Sequence, residues 1–310
     1  MTDQMTTTDA LEETIDSIAR GLAYPSRSPL LRTPADAGLE FEEISYPSTD
    51  GTPLEAWCIP GAGSDKLIVS AHAFGFSRYG FPAHIEPWKS AFGEGNDTEI
   101  NFIADYKILH DNGYNVLAFD FRNHGLSGDA NGRLQSNNRF EARDVIGTLD
   151  YIRARPELAS MKLGIFARCM GANATFRAID TNPAAFSYVR CLVAPLLLSP
   201  RAFVETSLAK MDLEEFAEEV DQRFRIITSV SMADGNTSQW APSARMPTLT
   251  YGVHDDHLTR PSDLEEAFEA IGAEQKEMFW INETPRRWDG YQFFQRHPDR
   301  ILDWFETHMS

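Results

Sequence analysis

The sequence predicts an α/β protein: a mostly parallel sheet with helices on both faces. Three observations carry this reading. Short apolar runs alternate with amphipathic stretches along most of the chain. The apolar runs are continuous, as expected of strands buried on both faces. The composition, 42% apolar and 24% charged over 310 residues, is that of a folded globular chain. At this length one large domain or two medium ones would bury a substantial core.

Taken in order, residues 9–22 read as an amphipathic helix. Residues 41–46 and 54–59 read as two strands joined at 48–51, where the pair Asp50-Gly51 favours the positive φ of a tight turn. Residues 66–71 (KLIVSA) form a short apolar strand. Strands and helices then alternate. Strands are expected at 115–120, 162–167, 189–198, 247–252 and 277–281. Helices are expected at 103–112, 140–154, 170–179, 262–271 and 298–308. The second of these carries Val145, Ile146, Leu149 and Ile152 at helical spacing.

The alternation fails once, over residues 199–245, an acidic stretch with a helical segment at 212–225. It is too short for a second domain. We read it as a small helical lid inserted at the C-terminal edge of the sheet, where such sheets place their sites. Residues 1–40 then form an N-terminal helical extension, and 41–198 with 246–310 form the core.

Charge excludes some partners. With 46 acidic and 28 basic side chains the net charge is −18. A nucleic-acid binder needs a basic surface, and so does docking on anionic membrane. No apolar run approaches the roughly 20 residues that span a bilayer. The first twenty residues lack the basic end and apolar run of a signal peptide. Three cysteines, Cys58, Cys169 and Cys191, make no disulfide framework. A reduced cytoplasmic protein acting on a small molecule is the expectation.

The chemistry concentrates at three motifs. The first is the strand-to-helix turn from Ala167 to Gly171 (ARCMG). A residue at the apex of such a turn projects its side chain above the sheet, and small flanking residues let strand and helix approach. The apex is Cys169, beside a helix N-terminus whose partial positive charge favours a thiolate. Most cysteines are buried core residues, and that reading is kept for Cys191 and Cys58, which sit among apolar neighbours.

The second motif is the segment from His72 to Arg78 (HAFGFSR), directly after strand KLIVSA. There the amide of Phe74 would point at the same spot as the amide of Met170. Two such donors make an oxyanion hole for a tetrahedral intermediate. The third is Gly252 to Asp256 (GVHDD), after the next-to-last strand.

Together with the stretch FDFRNHGLSG (residues 119–128), these motifs resemble the α/β-hydrolase superfamily over roughly residues 41–308. Cysteine at the elbow resembles dienelactone hydrolases. The resemblance implies an eight-stranded, mostly parallel sheet and acyl transfer on an ester, lactone or thioester. It also implies that an acid after the next-to-last strand orients a catalytic histidine. Asp255 matches that spacing, with Asp256 in reserve as a loop-capping residue.

The chain departs from the family after its last strand. Relatives often read Thr-His-Phe-Asp-x-Tyr where this chain has Pro285 to Tyr291 (PRRWDGY), so Arg287 stands in the histidine's place, followed by Trp288. His254 and His257 would serve as bases only if their loop bent inward. Arg287 would either bind a substrate carboxylate or pair with Asp255 and fill the gap, and Arg168 is open to the same two readings. His72, Arg78, Arg168, Arg287 and Trp288 are therefore expected to line the site. No glycine-rich phosphate loop follows a strand and no Cys/His group has zinc spacing, so neither a cofactor nor a metal is expected.

Two functions remain. One is an acyl-processing enzyme, hydrolase or acyltransferase or cyclase, with Cys169 as nucleophile and no C-terminal histidine. Cysteine tolerates that loss better than serine, because a few per cent of a free thiol is ionised at neutral pH. Water still needs a base, so a thioester should form and hydrolyse slowly. The other is a degenerate fold that binds an aromatic or acidic ligand without a covalent step.

Overall fold

Helix α1 (Thr7–Ala23) precedes the sheet and turns its apolar stripe inward. The computed structural model describes residues 7–90 and 95–310. Strand β1 (Glu42–Pro47) folds back on β2 (Pro53–Ile59) as an antiparallel pair, and Gly51 takes the positive φ that the turn demands. β3 (Lys66–Ala71) follows. A two-residue pair, β4 (Gly80–Phe81) with β5 (Ile100–Asn101), lies outside the main sheet and was not foreseen.

The alternation then runs as expected. Helix α2 (Ile103–Asp111) leads to β6 (Asn115–Phe119), α3 (Glu141–Ala154) and the single turn α4 (Pro156–Ala159). Strand β7 (Lys162–Ala167) enters α5 (Met170–Thr181), and β8 (Val189–Val193) ends five residues short of the expected bound at residue 198. Helices α6 (Pro200–Ala209) and α7 (Ala217–Thr228) occupy the break in the pattern. β9 (Thr248–Val253), α8 (Pro261–Ala270) and β10 (Lys276–Ile281) follow. The chain closes with the short α9 (Arg287–Tyr291), α10 (Phe293–Arg296) and α11 (Asp299–Met309).

The sheet has eight strands in the order β1-β2-β6-β3-β7-β8-β9-β10. β2 is antiparallel to both neighbours and the remaining pairs are parallel. Side chains alternate between its faces. Leu67, Val69 and Ala71 of β3 join the core under α3 and α5, whereas Ile68 joins the core under α2 and α11. A third apolar cluster brings Ile15, Ala19 and Ala23 of α1 together with Val204, Leu208, Val220 and Phe224 of α6 and α7. The N-terminal extension is thus not separate from the insertion: α1 packs with α6 and α7 as one cap, whereas Trp240, Ala241 and Ala244 join the core under α3 and α5. Among the described residues, no helix is long and apolar enough to cross a membrane.

Candidate active site

The elbow forms where β7 meets α5. Cys169 takes φ +55° and ψ −118°, an unusual conformation for a residue with a side chain, at the N-cap of α5. The turn closes tightly: a Cβ on Gly171 would lie 2.7 Å from the carbonyl oxygen of His72. Cys169 is 6% exposed and lines a cavity of about 470 Å³ between the sheet edge and the cap. That size suits a small-molecule ligand. The wall is mostly apolar, with Phe74, Phe76, Leu198, Phe203, Phe224 and Trp288 prominent, and Ile18 and Leu22 of α1 complete it.

Phe74 and Met170 line the cavity with Cys169, and among the described residues neither backbone amide donates to a protein acceptor. Met170 opens α5, so its amide has no carbonyl within the helix to bond.

The acid is the first correction. Asp255 is exposed and pairs with exposed His254. Asp256 turns inward instead, accepting from Arg287 Nη1 at 2.6 Å, Leu258 N at 2.9 Å and Thr259 Oγ1 at 3.0 Å. Neighbouring residues of a loop face opposite ways, and the inward-facing one is set by the cation waiting for it.

The basic candidates are the second correction. His254 and His257 are exposed and neither lines the cavity. His72 is buried with both ring nitrogens engaged: Nδ1 bonds the Ala73 carbonyl and Nε2 accepts from the Phe121 amide. Burial lowers its pKa to about 4, so it is a neutral structural residue. No histidine lines the cavity among the described residues.

Arg78 and Arg168 also leave the site. Arg78 pairs with buried Asp120 at 2.7 Å and covers the ring of Trp57. Arg168 pairs with buried Asp105 and stacks over Phe166 and Phe102. The stretch FDFRNHGLSG serves the same scaffold, since Asp120 also caps the Leu126 amide and Arg122 binds Asp144 and Asp50. Cys191 is core as expected, its thiol pushed up to about 12 by burial, and burial also raises Cys58.

What stands beside Cys169 is Tyr291, which the sequence reading passed over. Its hydroxyl interacts with the Cys169 side chain, and Arg287 Nε lies 3.4 Å from the same oxygen. An arginine only donates, so the tyrosine oxygen accepts from Arg287 and its proton is left for the sulfur. The network thus runs Asp256, Arg287, Tyr291, Cys169. Burial raises the Tyr291 pKa well above its usual value, and neighbouring Cys169 adds to this, so the hydroxyl keeps its proton. Burial alone would lower Arg287, but Tyr291 and Asp256 outweigh it and the guanidinium is held well above its usual value. Arg287 and Tyr291 share a face of α9 at i, i+4, a spacing visible in the sequence. Gly290 lets that helix approach: a Cβ there would lie 2.5 Å from Leu196 Cδ2. Trp288 lines the cavity as expected, its Nε1 donating to the Thr98 carbonyl.

Among the described residues, no three His, Cys, Asp or Glu side chains gather as a metal site.

The eight-stranded sheet with its elbow defines an α/β-hydrolase fold. Solved structures agree. An esterase of Pyrococcus furiosus superposes with a TM-score of 0.69 at 19% identity, over 93% of this chain and 99% of its own. A dienelactone hydrolase of Anabaena variabilis gives 0.54 at 15% identity, over 88% and 99%. An α/β hydrolase of a Penicillium species gives 0.59 at 15% identity, over 87% and 99%. The family model described as serine aminopeptidase, S33, matches residues 101–219. No curated protein matches the chain. The chain has the fold of the α/β hydrolases. At these identities the likeness speaks for the fold, and the chemistry rests on the residues of the site.

Proposed function

We propose that the protein is an acyl-processing enzyme in which Cys169 takes up the acyl group of an ester, lactone or thioester. The observation that carries this is the placing of Cys169: a strained elbow apex on the floor of an apolar cavity, beside a tyrosine hydroxyl. The thiolate attacks the carbonyl carbon, and the amides of Phe74 and Met170 hold the oxyanion. Cys169 loses its proton to solvent on forming the thiolate; collapse breaks the C–O or C–S bond, and the alcohol or thiol, still tethered to the acyl chain where the substrate is a lactone, takes a proton from solvent. Tyr291 stabilises the sulfur by donating to it but takes no proton. No group in the described wall is fit to deprotonate water, so the thioester hydrolyses slowly or passes its acyl group to an amine, thiol or alkoxide nucleophile. Each nitrogen of Arg287 already donates, to Asp256, Leu196 or Tyr291, so a neutral acyl group fits this wall better than a carboxylate.

That no histidine lines the cavity among the described residues favours one competing reading, a degenerate fold that binds its ligand without a covalent step. One experiment separates them. The protein is mixed with p-nitrophenyl acetate, nitrophenol release is followed, and the intact mass is measured. Acylation of Cys169 with a burst and slow turnover is the expected result. No adduct, no burst and no labelling by iodoacetamide would sink the covalent reading.

A further inference from the structure

Three asparagines line the cavity: Asn137, Asn138 and Asn173. All are at least 98% buried, and the side-chain oxygen of each has no hydrogen-bond partner. For two of them the orientation is fixed by chemistry. Asn173 Nδ2 donates to the Leu198 carbonyl at 2.6 Å, and Asn137 Nδ2 donates to the Ser231 carbonyl. A carbonyl only accepts, so the amide nitrogen must face it and the oxygen must be the orphan.

The asparagines are also held in place. Asn137 and Asn138 have φ of +49° and +66°, left-handed backbone that asparagine tolerates better than most residues. The Gln135 side chain accepts from the Asn137 amide at 2.9 Å. Arg177, one turn beyond Asn173 on α5, donates to the Asn137 carbonyl at 2.7 Å. This ties the 135–138 loop to the same helix face as Asn173. Orphaned buried acceptors are uncommon in folded proteins and call for a partner.

We infer that Asn137, Asn138 and Asn173 form a subsite for neutral hydrogen-bond donors, hydroxyl or amide N–H, carried by the acyl part of the substrate. The inference rests on the Cys169 reading for what is processed, but the subsite has its own evidence. No side chain of the three is charged, so neither a cation nor a carboxylate is favoured over a neutral donor. A plain alkyl chain reaching this wall leaves the oxygens unpaired, which costs about tenfold in affinity for each bond lost.

The test compares p-nitrophenyl hexanoate, p-nitrophenyl 6-hydroxyhexanoate and the mono-p-nitrophenyl ester of adipic acid. The readout is the burst rate constant for each ester in wild type, Asn173→Leu and Asn138→Gly. Glycine keeps the backbone of residue 138 unstrained, so that variant tests the side chain even if Asn173→Leu folds poorly. We expect the hydroxylated ester to outpace the carboxylated one. We also expect the ratio of hydroxylated to plain rate constants to fall about tenfold in each variant. A ratio unchanged in both variants overturns the subsite. If no ester acylates Cys169, the nucleophile reading fails on its own. Calorimetry on Cys169→Ala then decides the subsite, with 6-hydroxyhexanamide and hexanamide as probes. A relative affinity for the hydroxylated amide that Asn173→Leu lowers supports it, and one that does not change overturns it.

Discussion

Arg287 donates to Asp256 at 2.6 Å; both side chains are buried, and Arg287 lines the cavity of the candidate site. In a hydrolase of this fold the acid would orient a histidine. Here it orients a guanidinium, which holds its proton at any working pH and so relays none. The pair balances charge and positions Tyr291.

Replacing the guanidinium by an imidazole should change the second half-reaction. Arg287→His puts a titratable ring against Asp256 and near Cys169. We expect deacylation to quicken by tenfold or more, so that the burst merges into steady turnover. Arg287→Ala should do the opposite of help. It leaves Asp256 buried without its cation, at a cost of about 3–5 kcal/mol in urea unfolding.

Tyr291→Phe removes the proton donated to sulfur and keeps the ring. Its stability should change little, because the ring still packs on Trp288 and Phe76. Labelling of Cys169 by iodoacetamide at neutral pH should slow by roughly tenfold, reflecting one lost hydrogen bond to a charged partner. An unchanged labelling rate would mean the hydroxyl does nothing for the sulfur.

The two adjacent aspartates make a clean contrast. Asp255→Ala removes an exposed side chain whose partner is an exposed histidine. The change in stability should stay within about 0.5 kcal/mol, with the burst intact. Asp256→Ala orphans Arg287 and should lower the thermal midpoint by many degrees, on the order of 3–5 kcal/mol. Differential scanning calorimetry reads both.

Glu141 supplies a pH dependence. Burial pushes its pKa up to about 7, from an ordinary value of 4.5. Between those values the folded chain holds a proton that the unfolded chain has released, so stability falls as pH rises through that window. Glu141→Gln removes the ionisation. We expect the variant to gain about 1–3 kcal/mol over wild type near pH 8 and to converge with it toward pH 4. Asp105, raised to about 6 by burial, contributes with the same sign and remains in both proteins.

Much of this was legible in the sequence, for physical reasons. Strands buried on both faces leave continuous apolar runs, and β3, β6 and β7 were found at nearly their observed bounds. The elbow was legible because a turn this tight tolerates only small neighbours such as Gly171. Arg78 and Arg168 were not, because their partners Asp120 and Asp105 lie 42 and 63 residues away along the chain. A buried cation beside an elbow looks the same in sequence whether it waits for substrate or for its own carboxylate. Asp255 and Asp256 were inverted because loop direction has no periodicity to read. The apolar stripe of α1 announced that the helix packs, but not that its partner is α7.

That last contact carries a consequence for biosynthesis. Helix α1 leaves the ribosome well before α7: Val220 and Phe224, which share an apolar cluster with Ile15 and Ala19, are made some two hundred residues later. Until then its apolar stripe has no native partner, and the cavity has no roof. The cavity above Cys169 can therefore close only once α7 has been made and α1 has packed against it.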